Sequence, residues 1–334
     1  MTLPTSVEGV PGSRRARSVG IGRAHAKAIL LGEHAVVYGA PALALPVPQL
    51  TVTASAGWSS RGGERGGLSS TMTGAPSRAV LAQVSDSLRR LTSAVERRLG
   101  VGERPHLNVV LDSTIPPGRG LGSSAATSRA VVLALADLFG RELGEDTAFE
   151  LVQTAENLAH GRASGVDAMA VGASRPLLFQ AGASRELAVG VDGLCILADS
   201  GTAGSTREAV ELLHESFRRR AGAQEVFVHR AAQLTEAARR ALTEGDAPEL
   251  GSLLTHYHHL MSAADLSTER IDALVEAALR AGSLGAKITG GGLGGCVLAL
   301  TQPQQAGEVI RRLHEAGAVQ TWAIPLKGLD TDAY

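Results

Sequence analysis

The sequence predicts an α+β protein built as two lobes. Segments of strand and helix character succeed one another without the regular βαβ alternation of a wound parallel sheet. The chain has 334 residues, 44% of them hydrophobic, enough for one large core or two smaller ones. Two glycine-rich segments, Pro116 to Ala126 and Gly290 to Gly295, fall where elements join rather than inside them.

Met1 to Arg17 reads as a disordered leader with no apolar signal core. Ser18 to Leu31 and Ala42 to Ser55 read as strands, with Gly32 to Pro41 between them as a loop running into a short helix. Trp58 to Gly74, rich in Gly, Ser and Arg, reads as an exposed loop, and an amphipathic helix spans Pro76 to Leu99. His106 to Leu111 is a strand. Ser123 to Phe139 carries Ala, Val and Leu at helical spacing, and Gly140 is a natural stop. Thr147 to His160 is a second such helix, after which the turn Gly161 to Gly165 delivers the chain to Val166 and Asp167. Beyond a lobe boundary near Gly190, dividing 18–190 from 191–334, Leu194 to Ala198 is a buried strand and Ser205 to Ala281 a run of helices. Ala286 to Thr289 and Cys296 to Leu300 are strands around the second glycine cluster, and a helix and a strand close the chain.

Composition removes several classes of function. With 32 basic and 33 acidic residues the net charge is -1, so no overall field attracts nucleic acid or an anionic membrane. Aromatic residues are 3% of the chain, too few for base-stacking platforms. No apolar run approaches the ~20 residues needed to span a bilayer. Cys195 and Cys296 lie far apart in apolar stretches, which reads as two buried thiols in a reducing cytosol rather than a disulfide. Lys27, Lys287 and Lys327 are the lysines among those 32 basic residues, so the places where an ammonium is kept against a preference for arginine mark themselves out.

The segment Pro116-Pro117-Gly118-Arg119-Gly120-Leu121-Gly122-Ser123-Ser124-Ala125-Ala126 runs into a helix start. Glycines permit a tight turn and close approach of the backbone to a ligand, and the helix N-terminus presents unpaired N–H groups and the positive end of its dipole. That combination binds phosphate. Ser123 and Ser124 add hydroxyls, for capping the helix or for reaching a Mg²⁺ on ATP oxygens. No lysine follows the last glycine, so this is not a Walker loop. Gly120 to Ala125 also matches the dinucleotide pattern GxGxxA, but Asp112 to Arg119 separates strand from glycines, where that motif requires them adjacent. The tract His256-Tyr257-His258-His259 puts its rings at consecutive helical positions that point apart, and reads as helix surface.

Three segments in order, Lys27-Ala28-Ile29-Leu30-Leu31-Gly32-Glu33-His34-Ala35-Val36-Val37-Tyr38-Gly39, the phosphate segment, and Lys287-Ile288-Thr289-Gly290-Gly291-Gly292-Leu293-Gly294-Gly295-Cys296, resemble those of one family. It is the family of galactokinase, homoserine kinase, mevalonate kinase and phosphomevalonate kinase, and the resemblance spans most of the chain. Gly32-Glu33-His34 continuing into Ala35-Val36-Val37-Tyr38-Gly39, and Ser164-Gly165-Val166-Asp167, are most similar to its mevalonate kinase branch. The resemblance implies an N-terminal lobe like domain 2 of ribosomal protein S5, a C-terminal ferredoxin-like lobe, and an active site in the cleft between them. It implies an ATP-dependent, Mg²⁺-requiring cytoplasmic kinase of mevalonate on the route to isoprenoids, with a homodimer and the family's other acceptors left open. Carried over residue by residue, it implies Asp167 and Lys27 as catalytic groups and Pro117 through Ala125 as the ATP-binding turn. It further implies Ser124 and Glu156 as metal ligands, and Lys27, Glu33, His34, Asp167, Thr289 and Gly290 as the substrate-binding set.

Overall fold

The computed structural model describes residues 18–59, 66–73, 78–161 and 163–328. The leader expected over Met1 to Arg17 lies outside them. Two sheets organise the described residues, one of six strands and one of four, and they divide after Glu186 and before Leu194.

The first sheet grows around a long hairpin. Strand β1 (Val19–Leu31) pairs antiparallel with β2 (Ala42–Trp58), joined by a loop whose Ala35–Tyr38 forms a single 3₁₀ turn. Strand β3 (Leu68–Met72) lies parallel to β4 (Leu107–Ser113), which pairs with the far half of β2. The near end of β2 pairs with β5 (Leu177–Gln180), which turns back into β6 (Ala183–Glu186). Helices α1 (Arg78–Leu99), α2 (Ser123–Leu138), α3 (Glu145–His160) and the short α4 (Val166–Ala170) complete this lobe.

Three details depart from the sequence reading. Part of the loop expected over Trp58 to Gly74 is β3, an edge strand of Leu-Ser-Ser-Thr-Met whose polar composition hides a pairing made with residues nearly forty positions on. The β5–β6 hairpin was not expected either. Its signal lies in Ala181 and Gly182, both at positive φ (50° and 84°), as a two-residue primed turn requires, but Ala is an unusual occupant. Third, α2 has no serine cap: Gly122, at φ 71°, is the N-cap residue and makes no side-chain cap, so both serines fall inside the first turn.

The second sheet has the order β10-β7-β9-β8 and is antiparallel throughout: β7 (Leu194–Asp199), β8 (Gly285–Thr289), β9 (Cys296–Thr301), β10 (Gln320–Pro325). Helices α5 (Thr206–Arg219), α6 (Ala223–Glu244), α7 (Ala247–Ser262), α8 (Glu269–Arg280) and α9 (Ala306–Glu315) accompany it. With the strands numbered by appearance this is a 4-1-3-2 sheet, the ferredoxin-like arrangement. Cys195 and Cys296 are buried free thiols, and burial pushes the Cys195 thiol up to about 12. No helix among the described residues is long and apolar enough to cross a membrane.

Most buried apolar side chains of both lobes form one continuous cluster, to which α2 contributes Ala, Val and Leu positions. The helix lies almost on the backbone of β1. A Cβ added at Gly22 would fall 2.0 Å from Ala130 O, and one at Gly20 would fall 2.2 Å from Ala134 O. Two missing side chains therefore set the depth of α2, and with it the position of its N-terminus. Gly22→Ala should lower the free energy of unfolding by about 1–3 kcal/mol through overpacking. In the same urea titrations Gly57→Ala, whose nearest contact would be 3.4 Å, should change it by about 0.5 kcal/mol or less. Equal effects would rule out close packing of α2 on β1.

Candidate active site

β1 is an edge strand, and its outward backbone groups recruit the parts of the site. The Lys27 N–H donates to Leu121 O at 3.0 Å, which seats the phosphate turn against the strand. Two residues on, the Thr289 hydroxyl accepts from Ile29 N–H at 3.0 Å and donates to Ile29 O at 2.9 Å. The three segments singled out in the sequence thus meet within three residues of one strand edge, Lys27 to Ile29.

In the turn, Gly118, Gly120 and Gly122 all have positive φ, at 69°, 74° and 71°. This alternation curls the backbone so that successive N–H groups face one side, a geometry that suits an anion. The first helical bond of α2 runs from Ala126 N–H to Gly122 O at 2.9 Å, so the N–H groups of Ser123, Ser124 and Ala125 lie ahead of it, at the positive end of the helix dipole.

Lys27 is deep in the cleft, its side chain 3% exposed, which excludes a surface lysine. Its ammonium donates to Gly120 O at 3.1 Å and stands 2.9 Å from Asp167 Oδ1. Asp167 keeps 39% of its side chain exposed, open to a ligand. It is held by α4, whose Val166 and Ala170 are buried among Ile29, Ala42, Ala44, Leu177 and Phe179. Ser124 Oγ donates to Glu156 Oε1 at 2.7 Å. Glu156 is 5% exposed, so a residue that pattern alone would place on a solvated helix face is turned inward to the first turn of α2.

The other substrate-binding expectations are redistributed. Glu33 is engaged in an ion pair with Lys287, both side chains almost wholly buried. Burial pushes Glu33 up and Lys287 down, and each is restrained by the other's charge. Tyr257 completes this cluster: its hydroxyl donates to Glu33 O at 2.8 Å and its ring lies 5.4 Å from the Lys287 ammonium. The Thr289 hydroxyl spends its proton and one lone pair on Ile29, which leaves one lone pair to accept from a ligand. Gly290 packs on the turn, where a Cβ would fall 2.6 Å from Gly120 Cα. His34, at φ 59°, donates from Nε2 to Gly291 O at 3.0 Å, and burial lowers its pKa to about 4, so the ring is neutral near pH 7.

Tyr257 and His258 correct the surface reading of the histidine tract. Both are buried, because α7 packs on β8 with that face inward. His258 accepts from Ile288 N–H at Nδ1 and lies 3.1 Å from Asp272 through Nε2. The tract gathers no metal cluster among the described residues. Sequence reading also missed the loop after β7, residues 200–205, which lies against the phosphate turn: Gly204 N–H donates to Gly118 O at 3.0 Å. Its run of Gly, Ser and Thr ahead of a helix was the available signal.

A backbone cradle for phosphate, facing a cation and a half-exposed carboxylate, is the arrangement of a phosphotransferase that acts on a small molecule. Residues 86–174 match the family described as GHMP kinases N terminal domain, and residues 238–319 match GHMP kinases C terminal. The chain belongs to the GHMP kinases. It is 32% identical over 318 residues to the mevalonate kinase of Thermococcus sibiricus, covering 89% of this chain and 93% of that one. To the mevalonate kinase of Aeropyrum pernix it is 34% identical over 299 residues, 86% and 89% of the two chains. The crystal structure of L. major mevalonate kinase in complex with R-mevalonate superposes with a TM-score of 0.80 at 25% identity, covering 93% of this chain and 97% of that one.

The buried imidazoles make acid stability a test of this geometry. Burial lowers both His34 and His258 to about 4, the latter against the pull of Asp272. An unfolded histidine titrates near ~6.5, so between the two values the unfolded chain binds more protons than the folded one. Stability from these rings is fully present above pH ~6.5 and is lost as pH falls toward about 4. Urea midpoints should drop across that window, and the drop should be shallower in His258→Gln. A parallel course for variant and wild type would show that the ring titrates normally.

Proposed function

We propose that this protein transfers the γ-phosphoryl group of ATP to the primary 5-hydroxyl of mevalonate, giving 5-phosphomevalonate and ADP. The observation that carries the reading is the placement of the Lys27 ammonium between Gly120 O of the phosphate turn and the Asp167 carboxylate. The kinship with mevalonate kinases supports the choice of acceptor.

In this mechanism the N–H groups of the turn and of the first turn of α2 hold the triphosphate, while the acceptor hydroxyl lies beside Asp167. Its oxygen attacks the γ-phosphorus, the bond from that phosphorus to the β–γ bridging oxygen breaks, and Asp167 takes the hydroxyl proton. Lys27 stabilises the negative charge on the attacking oxygen and the transferring group, in a pocket where little water screens it. Ser124 and Glu156 fit Mg²⁺, since they offer adjacent hard oxygens and leave the remaining positions to phosphate and water. Bound there with ATP, the cation neutralises phosphate charge. Neutral His34 lines the acceptor side, and Glu33 holds its loop through Lys287 rather than touching substrate. Residues 18–190 and 191–334 serve as the two lobes of this kinase, working in the cytoplasm.

An acceptor panel of mevalonate, phosphomevalonate, homoserine and galactose, run with ATP and Mg²⁺ and read as ADP release with product identification, tests the assignment. Turnover of mevalonate is expected. Turnover of another acceptor in its place would move the protein elsewhere in the family.

Asp167→Asn should lower kcat about 10²–10⁴-fold while ATP still binds, as expected for loss of a general base. Lys27→Met should lower it about 10²–10³-fold. Glu156→Gln should raise the Mg²⁺ concentration for half-maximal rate about tenfold. A wild-type magnesium titration would remove Glu156 from the metal site.

A further inference from the structure

Arg119 is the charged side chain of the phosphate turn, and its guanidinium is engaged by Asp199 and Gly201 O. We propose that Arg119 and Asp199 form a pin between the lobes, which fixes the turn for the nucleotide, and that Arg119 is a positioning residue rather than a phosphate ligand. The inference rests on the nucleotide reading above and goes beyond it by assigning a role to a pair on opposite lobes.

Arg119 Nε stands 2.7 Å from Asp199 Oδ1, and Nη2 donates to Gly201 O at 3.2 Å. The first contact is to the last residue of β7 and the second to the loop that follows it. The pair is well shielded, with side-chain exposures of 18% for Arg119 and 6% for Asp199, so solvent screens it less than a surface ion pair.

Asp199 is a firm anchor. It ends β7, paired with Cys296 of β9 on one side and Gln320 of β10 on the other. Its Oδ1 also accepts from Gly201 N–H at 2.7 Å, and its carbonyl accepts from Val319 N–H at 2.9 Å. A carboxylate on the last residue of an interior strand, paired on both sides, cannot follow the turn if the turn moves.

The turn needs such an anchor. Gly118 and Gly120, which flank Arg119, are in left-handed conformations that the unfolded chain samples among many others, so the curl is entropically expensive to hold. Backbone N–H groups bind phosphate well only when they are aimed before it arrives. The pin works beside backbone contacts to the same lobe: Gly118 O accepts from Gly204 N–H, and Arg119 O lies 2.9 Å from where a Cβ on Gly295 would sit. Because the anchor belongs to one lobe and the turn to the other, the pair also ties the nucleotide cradle to the C-terminal lobe.

Pin and phosphate ligand give opposite signs at Asp199. The experiment is steady-state kinetics of the full chain with varied ATP, comparing wild type, Arg119→Ala, Asp199→Asn and the double variant. Asp199→Asn preserves shape, and thermal melts of every variant accompany the kinetics. With a pin, each single change raises KM for ATP about tenfold, and the double variant is no worse than either single one. In Asp199→Asn, kcat and the acceptor KM stay within about twofold of wild type. Arg119→Lys, keeping the charge on a flexible stem, recovers part of the loss.

If Arg119 instead grips phosphate, Asp199→Asn releases it and lowers KM for ATP or leaves it unchanged, which overturns the pin. A fall in melting temperature with unchanged KM for ATP in both single variants overturns it too, because the pair would then only support the fold. Wild type that binds no ATP by calorimetry would remove the nucleotide reading and the pin together. Wild type that binds ATP leaves the sign at Asp199 to decide the pin alone.

Discussion

Strand β1 has one edge paired along its length with β2, and on the other edge its amide and carbonyl groups must find partners outside the sheet. They find them in functional segments. Lys27 N–H takes Leu121 O of the phosphate turn, and the peptide groups of Ile29 take the hydroxyl of Thr289 from the other lobe. Since alternate residues of a strand offer their backbone to the same edge, Lys27 and Ile29 hold these two segments side by side. The bonds that satisfy a buried backbone are also the bonds that assemble the cleft, so neither can be lost without the other.

A second constraint holds the lobes in register. Glu33 and Lys287 meet in the interior, with Tyr257 bonded to the backbone of the first and its ring near the charge of the second. Glu33 Oε2 has no hydrogen-bond partner among the described residues, so the pair is incompletely satisfied and is poor evidence for net stability. Its effect is specific rather than large: a carboxylate in the loop after β1 and an ammonium on β8 tolerate burial only in each other's presence. That requirement aligns the loop carrying His34 with the glycine loop whose Gly291 O accepts from it. A lysine retained in an arginine-rich chain is intelligible here, because a compact ammonium fits a slot that a planar guanidinium would not.

The phosphate turn joins these constraints. It is seated on β1 through Leu121, covered by Gly290, and braced against the loop after β7, while its own glycines contribute curvature and no rigidity. Its stiffness is borrowed from these neighbours. Helix α2 fixes the remaining degree of freedom, since Gly20 and Gly22 let it rest on the backbone of β1 and so determine how far its N-terminus reaches into the cleft.

The sequence by itself determined the two-lobed α+β fold, most of its long elements and the segments that form the cleft. Helical and strand periodicities are local, and glycines that must curl around an anion cannot be replaced without leaving a trace in the chain. It also pointed to Lys27, Ser124, Glu156 and Asp167, which the structure brings into two contacting pairs. What only the tertiary structure decided was the direction of each side chain: Glu33 toward Lys287, Thr289 toward Ile29, Arg119 toward Asp199, Tyr257 and His258 inward from a helix that reads as surface. The edge strand β3 and the β5–β6 hairpin belong to the same class. Each depends on a partner distant in sequence, and the polar groups involved follow whichever buried donor, acceptor or charge the fold leaves without a mate, which no local pattern encodes.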